Sequence, residues 1–219
     1  MARPKKEVSV AAEEKKFDIN GKVVNVELTF QKDILGSWPS DPEIAETYIA
    51  SKAPDAETMA QQIENLGIDA VTDSRKTIFP RNKDGEPIVY DYQIRGFFKA
   101  AAKALYKLEG SKSSKIKAYK QTVDTKVFVV EEEIPIIFDG EIDTCQRPLR
   151  ASTPQGDRVA LAFSESIPKG AKIIFGIRML DPSLEETIYE WLDYGQYNGL
   201  GQWRNAGYGK FTWRKLEWP

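Results

Sequence analysis

Two Gly-x-Gly units, Gly199-Leu200-Gly201 and Gly207-Tyr208-Gly209, bracket Arg204 and run into an alternating tail from Phe211. Glycine destabilises the interior of helices and strands and readily takes positive φ, so this segment is a loop that ends one element and opens the next. Without a Cβ the chain can bring its N–H groups close to an anion, and Arg204 and Lys210 supply opposing charge. The same residues also suit a glycine-rich hairpin turn before a C-terminal strand, and both readings stand at this point. A dinucleotide fingerprint is excluded by context, because it follows a strand and opens a helix, whereas this loop follows a helix and opens a strand.

Charge and composition limit what chemistry such a loop can serve. Thirty-one Lys and Arg stand against thirty-three Asp and Glu, a net charge of −2 over 219 residues, so any polyanion site must be local. The chain has no histidine, which removes Ser-His and Cys-His triads and the usual neutral-pH acid–base group. Its single cysteine, Cys145, forms no internal disulfide and fits a reducing, cytoplasmic setting. The basic start leads into Glu7, Glu13 and Glu14 rather than an apolar run, and no stretch reaches the ~18 apolar residues of a membrane span. Neither a signal peptide nor a membrane partner is expected. A hydrophobic content of 41% suffices for the core of one domain spanning residues 1–219.

Hydrophobic periodicity orders the elements. Phe17 to about Leu35 reads as the first core strand, with Asn20-Gly21 as a turn. Residues at about 40–66 read as two short helices in an insertion. Thr77 to Tyr90 looks like a hairpin with Lys83-Asp84-Gly85 at its tip. Tyr92 to Leu108 is the clearest helix: Ile94, Phe97, Phe98, Ala101 and Leu105 form its apolar stripe, and Arg95, Lys99, Lys103 and Lys107 recur on another face. That basic face is either solvated or a polyanion surface, and the run continues through Lys112, Lys115, Lys117 and Lys120. A hairpin and loop extension is expected at about 121–163. Within it Arg147 to Arg158 reads as a Pro- and Gly-punctuated loop carrying Arg147, Arg150 and Arg158. Ile173 to Leu180 is a core strand, Leu184 to Tyr194 a short helix, and Phe211 to Trp218 the last strand.

This order predicts an α+β fold, a ferredoxin-like or RRM-like β-α-β-β-α-β core with a helical insertion and a long β-hairpin or loop. Three segments add a resemblance. Arg81 to Ile88 leading into Gln93-Ile94-Arg95-Gly96-Phe97-Phe98-Lys99 is similar to the charged hairpin and Lys-Gly helix start of the RAMP superfamily, the repeat-associated proteins of CRISPR effector complexes. Glu165 to Phe175 resembles that family's turn into its penultimate core strand, and Gly199 to Phe211 its glycine-rich loop. The chain departs from the family where Tyr90-Asp91-Tyr92-Gln93 replaces a Pro-Gly-Ser segment, and in the insertion. Those departures describe a diverged relative, stand-alone or encoded by a virus such as a phage.

The resemblance implies RNA or single-stranded nucleic-acid binding, in a filament-like oligomer or with other RAMP-type subunits in a ribonucleoprotein. It carries the backbone-binding role onto Arg95, Gly96, Lys99, Gly199, Gly201, Arg204, Gly207 and Gly209. Lys103, Arg147, Arg150 and Lys210 join them as cations of the same stretches, and Trp203, Tyr208 and Tyr197 are candidates to stack bases. No cofactor is expected. Some family members cut RNA with a metal-dependent loop aspartate. That alternative would fall on Asp69 or Asp33 and would need a divalent metal to supply the charge stabilisation that histidine cannot. A third reading is a viral protein that mimics or blocks a CRISPR backbone subunit, docking through the insertion.

Overall fold

The computed structural model describes residues 18–39, 76–153 and 156–217. The expected insertion at 40–66, and Asp69, lie outside them. In chain order, β1 (Lys22–Phe30), β2 (Ile34–Leu35), β3 (Trp38–Pro39), β4 (Thr77–Ile78) and β5 (Ile88–Tyr90) precede helix α1 (Asp91–Leu105). Helix α2 (Tyr119–Lys126), β6 (Val127–Val129), β7 (Glu133–Pro135), β8 (Asp143–Thr153) and β9 (Gly156–Ile167) follow. The chain then forms β10 (Lys172–Met179), helix α3 (Glu185–Asp193) and β11 (Phe211–Leu216).

Four of these strands make an antiparallel sheet in the order β11-β1-β10-β6. With α1 between β1 and β6, and α3 between β10 and β11, this is the β-α-β-β-α-β connectivity that the sequence predicts. Along β1 the alternate residues Val24, Val26, Leu28 and Phe30 are buried toward the helices. Ile94, Phe97, Phe98 and Ala101 of α1 meet them, together with Ile188, Trp191 and Leu192 of α3, in one apolar cluster. Aromatic edges lock the layer: Phe98 lies 5.8 Å from Trp191, and Phe97 lies 5.1 Å from Phe211. On the opposite sheet face Glu27 is buried, its carboxylate held by both Arg214 nitrogens at 2.9 Å and by Lys172 at 3.4 Å.

Several elements differ from expectation, each for a long-range reason. The first strand ends at Phe30, because Ile34 and Leu35 leave for a second sheet and pair with Ile167 and Ser166. The Thr77–Tyr90 segment keeps its turn, with Asn82 Oδ1 accepting from the N–H groups of Asp84 and Glu86. Its arms, however, diverge: β4 joins β3 and β9, while β5 joins β7. Residues 121–126, expected at the start of the hairpin extension, belong to helix α2. The Arg147–Arg158 segment is not a loop but the body of a hairpin in continuous register from Asp143↔Ser166 to Thr153↔Gly156. The lysine-rich stretch after α1 is tied down by Glu190, which accepts from the Lys112 and Ser113 amides and the Ser113 hydroxyl, while Trp191 Nε1 donates to that hydroxyl.

The start of α3 is pinned to both strands at the sheet's free side. Glu185 accepts from Lys22 of β1, from the Tyr189 hydroxyl, and from Lys215 of β11. The Lys22 hydrogen bond, foremost among these, holds its carboxyl down from 4.5 to about 2. The unfolded chain therefore takes up this proton first, so the contribution is complete above pH 4.5 and is lost as pH falls toward about 2. Urea-unfolding free energy should fall across that window, and Glu185→Gln should be less stable near neutrality with a shallower acid slope. An unchanged slope in the variant would show that Glu185 is not a source of the acid lability.

Candidate functional site

The glycine loop is a place where the backbone crosses itself. A Cβ on Gly199 would lie 1.9 Å from the Gly209 carbonyl oxygen, and one on Gly209 would lie 1.8 Å from the Leu200 carbonyl oxygen. Gly209 also has φ +67°, and Gly201, with φ +78°, would press a Cβ to 2.6 Å from the Leu35 carbonyl oxygen. These three glycines permit close approach and left-handed turns inside the protein. The crossing is held by Leu200 N–H to Gly209 O at 3.0 Å, Gly209 N–H to Asp33 O at 2.8 Å, and Gln31 N–H to Lys210 O at 2.7 Å.

Gly207 is different. At φ +85° it is buried, and the atoms nearest its Cβ position belong to two lysines: Lys210 Cε at 3.4 Å and Nζ at 3.6 Å, and Lys32 Nζ at 3.8 Å. Lys32 also donates to the Ala206 carbonyl at 3.0 Å. Two ammonium groups thus converge on a bare turn, with Arg204 exposed three residues earlier. Beside them Trp203 and Tyr208 stack with ring centroids 5.1 Å apart and planes 12° apart. Lys32 lies 4.6 Å from the Tyr208 ring centroid, and the Arg147 guanidinium 5.6 Å from that of Trp203. Tyr208 takes a hydrogen bond from the Cys145 thiol at 3.9 Å, which together with burial pushes its phenol up.

Arg147 joins the hairpin to this loop. Its Nη2 donates to Gln202 Oε1, and its Nη1 is buried with no acceptor. Burial lowers its pKa below the ordinary guanidinium value. Gln202 sits beside Thr77, whose hydroxyl is 2.7 Å from that of buried Ser164. Arg150 lies on β8, and its side chain is outside the described set.

Helix α1 reaches the loop at its N-terminal end, where Gln93 lines a pocket with Ser37, Leu200 and Gly201 and donates to the Ser37 hydroxyl at 2.7 Å. Its cations are partly committed: Arg95 pairs with Asp91 at 2.7 Å, and Lys99 with Asp124 of α2 at 2.5 Å. Lys103 is exposed on the same helix. Gly96 is exposed in mid-helix, and a Cβ there would meet nothing within 4 Å, so no internal contact demands glycine. Asp33 serves the fold, its carboxylate accepting from the Lys169 amide at 3.0 Å. Among the described residues no three His, Cys, Asp or Glu side chains gather as a metal site, and no helix is long and apolar enough to cross a membrane.

Lys32 and Gln202 are the members of this site that sequence reasoning missed. Lys32 stands alone between Gln31 and Asp33, far from the loop in sequence, and only the β1–β11 pairing brings it there. Gln202 sat inside the motif, but its partner Arg147 lies 55 residues away.

No protein-family model matches the chain, and no curated protein matches it. Among solved structures it is similar to a chain of the "Cryo-EM structure of the Type III-B Cmr-beta bound to cognate target RNA", with a TM-score of 0.51 and 14% identity. That likeness covers 89% of this chain and 59% of that one, so this chain spans under two-thirds of that relative's length. A chain of the "Type IV-B CRISPR Complex" gives a TM-score of 0.43 at 10% identity, over 89% of this chain and 90% of that one. The "Crystal structure of Cmr6 from Pyrococcus furiosus" gives 0.44 at 12%, over 87% and 97%. The first of these, at so low an identity, shows a shared fold.

The two kinds of glycine should separate in a stability measurement. Gly207→Ala should lower the urea-unfolding free energy by about 1 to 2 kcal/mol, the left-handed cost alone. Gly209→Ala adds a backbone collision and should cost roughly 3 kcal/mol or more. Equal losses for the two would contradict the crossing as described.

Proposed function

We propose that this protein binds RNA, or another single-stranded nucleic acid, through its phosphate backbone as part of a RAMP-type ribonucleoprotein. The observation that carries the reading is the convergence of the Lys32 and Lys210 ammonium groups beside the turn at Gly207, with Arg204 exposed in the same loop and Arg147 joined to it through Gln202. Like charges brought together without a carboxylate between them favour an anion that bridges them, and a phosphodiester is such an anion. The RAMP-like fold supports the reading, and one neighbour in fold is described as bound to target RNA. The turn amides of Gly207 and Gly209 are bonded to the Arg204 and Asp33 carbonyls, so lysine and arginine side chains carry the attraction more than an amide cradle does.

The path runs from this loop to the exposed face of α1. Gly96 and Lys103 share that face, and a mid-helix glycine without an internal reason fits an outside backbone lying close against the helix. Self-association or assembly with other RAMP-type subunits belongs to the same proposal. The hairpin supports it, because residues 147–162 pair only with one another among the described strands, and a two-stranded ribbon is marginal by itself.

Arg204→Glu should weaken binding to a single-stranded RNA by ~10-fold or more with the melting temperature unchanged, since an exposed attraction becomes a repulsion. The Lys32→Gln, Lys210→Gln double variant should flatten the slope of log affinity against log salt by about 1.4, two contacts at ~0.7 each. Unchanged affinity and slope in both would remove the phosphate reading.

Gly96→Ala offers a test with opposite signs. It should raise stability by about 0.5 to 1 kcal/mol, as a helix gains alanine for glycine, and yet weaken RNA binding by crowding the approach. A variant that is stabilised and binds as wild type would take α1 out of the interface.

A further inference from the structure

Among the described residues Trp203 is the one non-glycine with a left-handed backbone, at φ 52°. A bulky residue is unfavourable there and persists only where its surroundings over-determine it. Burial is not what the conformation gains, for the side chain remains 40% exposed. What it gains is a fixed ring: the indole lies flat against Tyr208, with Arg147 near it and Lys32 over the second ring.

We propose that the exposed indole of Trp203 is a stacking platform for one unpaired nucleobase, and that it makes the loop select single strands over duplexes. This inference rests on the phosphate-binding reading and deepens it. The charges decide the class of guest. Electron-rich rings commonly take cations, but Lys32 and Arg147 already approach these rings, Arg204 and Lys210 lie in the same loop, and Asp33 is engaged by the Lys169 amide. A further cation is repelled. A planar, polarisable group joined to an anion is favoured, which is the chemistry of a nucleotide. In a duplex the base faces are covered by their neighbours, so the platform has nothing to stack.

The test uses the full-length protein with an unstructured oligouridylate, the same strand annealed to oligoadenylate, and an abasic strand of equal length. Trp203→Ala should weaken oligouridylate binding on the order of 10-fold while leaving the salt slope as in wild type, because no phosphate contact is lost. Trp203→Phe should keep most of the affinity. The abasic strand and the duplex should bind wild type and Trp203→Ala alike, and weakly. Trp203→Gly, which accepts a positive φ without strain, should fold normally and show the same loss as the alanine variant. Wild-type affinity for oligouridylate in the glycine variant would overturn the platform, and so would an equal loss on the abasic strand. In both cases salt-dependent binding by wild type would leave the phosphate reading standing. No salt-dependent binding of any strand by wild type would overturn both. Competition by an acidic aromatic peptide but not by oligouridylate would assign the platform to a protein partner and overturn the nucleobase.

Discussion

The crossing of two backbones at Gly199–Leu200 and Gly209 is the contact on which this architecture depends. Carbonyl oxygens sit where any other residue would carry its Cβ, so the approach is open to glycine alone. Through it the end of the loop is tied to the turn after β1, by Gly209 N–H to Asp33 O and Gln31 N–H to Lys210 O. That tie sets where β11 begins beside β1, from Phe30↔Phe211 onward. Phe211 is then placed against Phe30, Phe97 and the bare Cα of Gly195, which couples the sheet edge to α1 and to the turn after α3. One steric fact therefore positions the outer strand, part of the core and the loop that stands above both.

The charged residues divide into those spent on the fold and those left to the surface. Arg214 and Lys172 neutralise buried Glu27, and Lys22 and Lys215 neutralise Glu185. A carboxylate surrounded in this way stays ionised, as the lowered values of both glutamates reflect. Around the glycine loop the balance is reversed. Asp33, the nearest acid, is turned to the Lys169 amide, while Lys32, Lys210, Arg147 and Arg204 meet no carboxylate in the described contacts. Among the described residues, a chain with net charge −2 thus presents a cluster of cations that no described ion pair neutralises.

What the sequence made legible follows from the range of the interactions. The stripe of α1, the alternation of β1 and β10, and the loop-then-strand tail are written within single segments, and each is present with ends shifted by a few residues. A hairpin or loop extension was legible in the region of β8 and β9, but the strand character of the stretch from Arg147 was not. Pro148 and the arginines read locally as loop, and only eleven consecutive cross-strand pairs make this stretch strand. The arms of the Thr77–Tyr90 turn diverge for the same reason, since β7 and β9 lie far along the chain. In the site, the glycines, Arg204 and Lys210 were legible as a motif. Lys32 was not, because a lone lysine after a strand carries no pattern until β11 pairs with β1.

Turn geometry and anion binding began as rival explanations of the glycines, and the structure gives three of them a role in its own backbone. Gly199, Gly201 and Gly209 are required by the protein's own backbone, whereas at Gly207 the atoms nearest a Cβ position belong to the side chains of Lys210 and Lys32. This division has a physical consequence. Ammonium groups on flexible stems act as point charges that follow a phosphate without demanding one orientation, so a site built from Lys32 and Lys210 tolerates any backbone sequence. Such a site discriminates poorly by itself. Discrimination has to come from rigid groups beside it, and within the loop the rigid group is the Trp203–Tyr208 stack, with planes 12° apart on a strained and crossed backbone. On the proposed reading, the crossing that excludes side chains at Gly199 and Gly209 also fixes the ends of the loop that carries the aromatic pair.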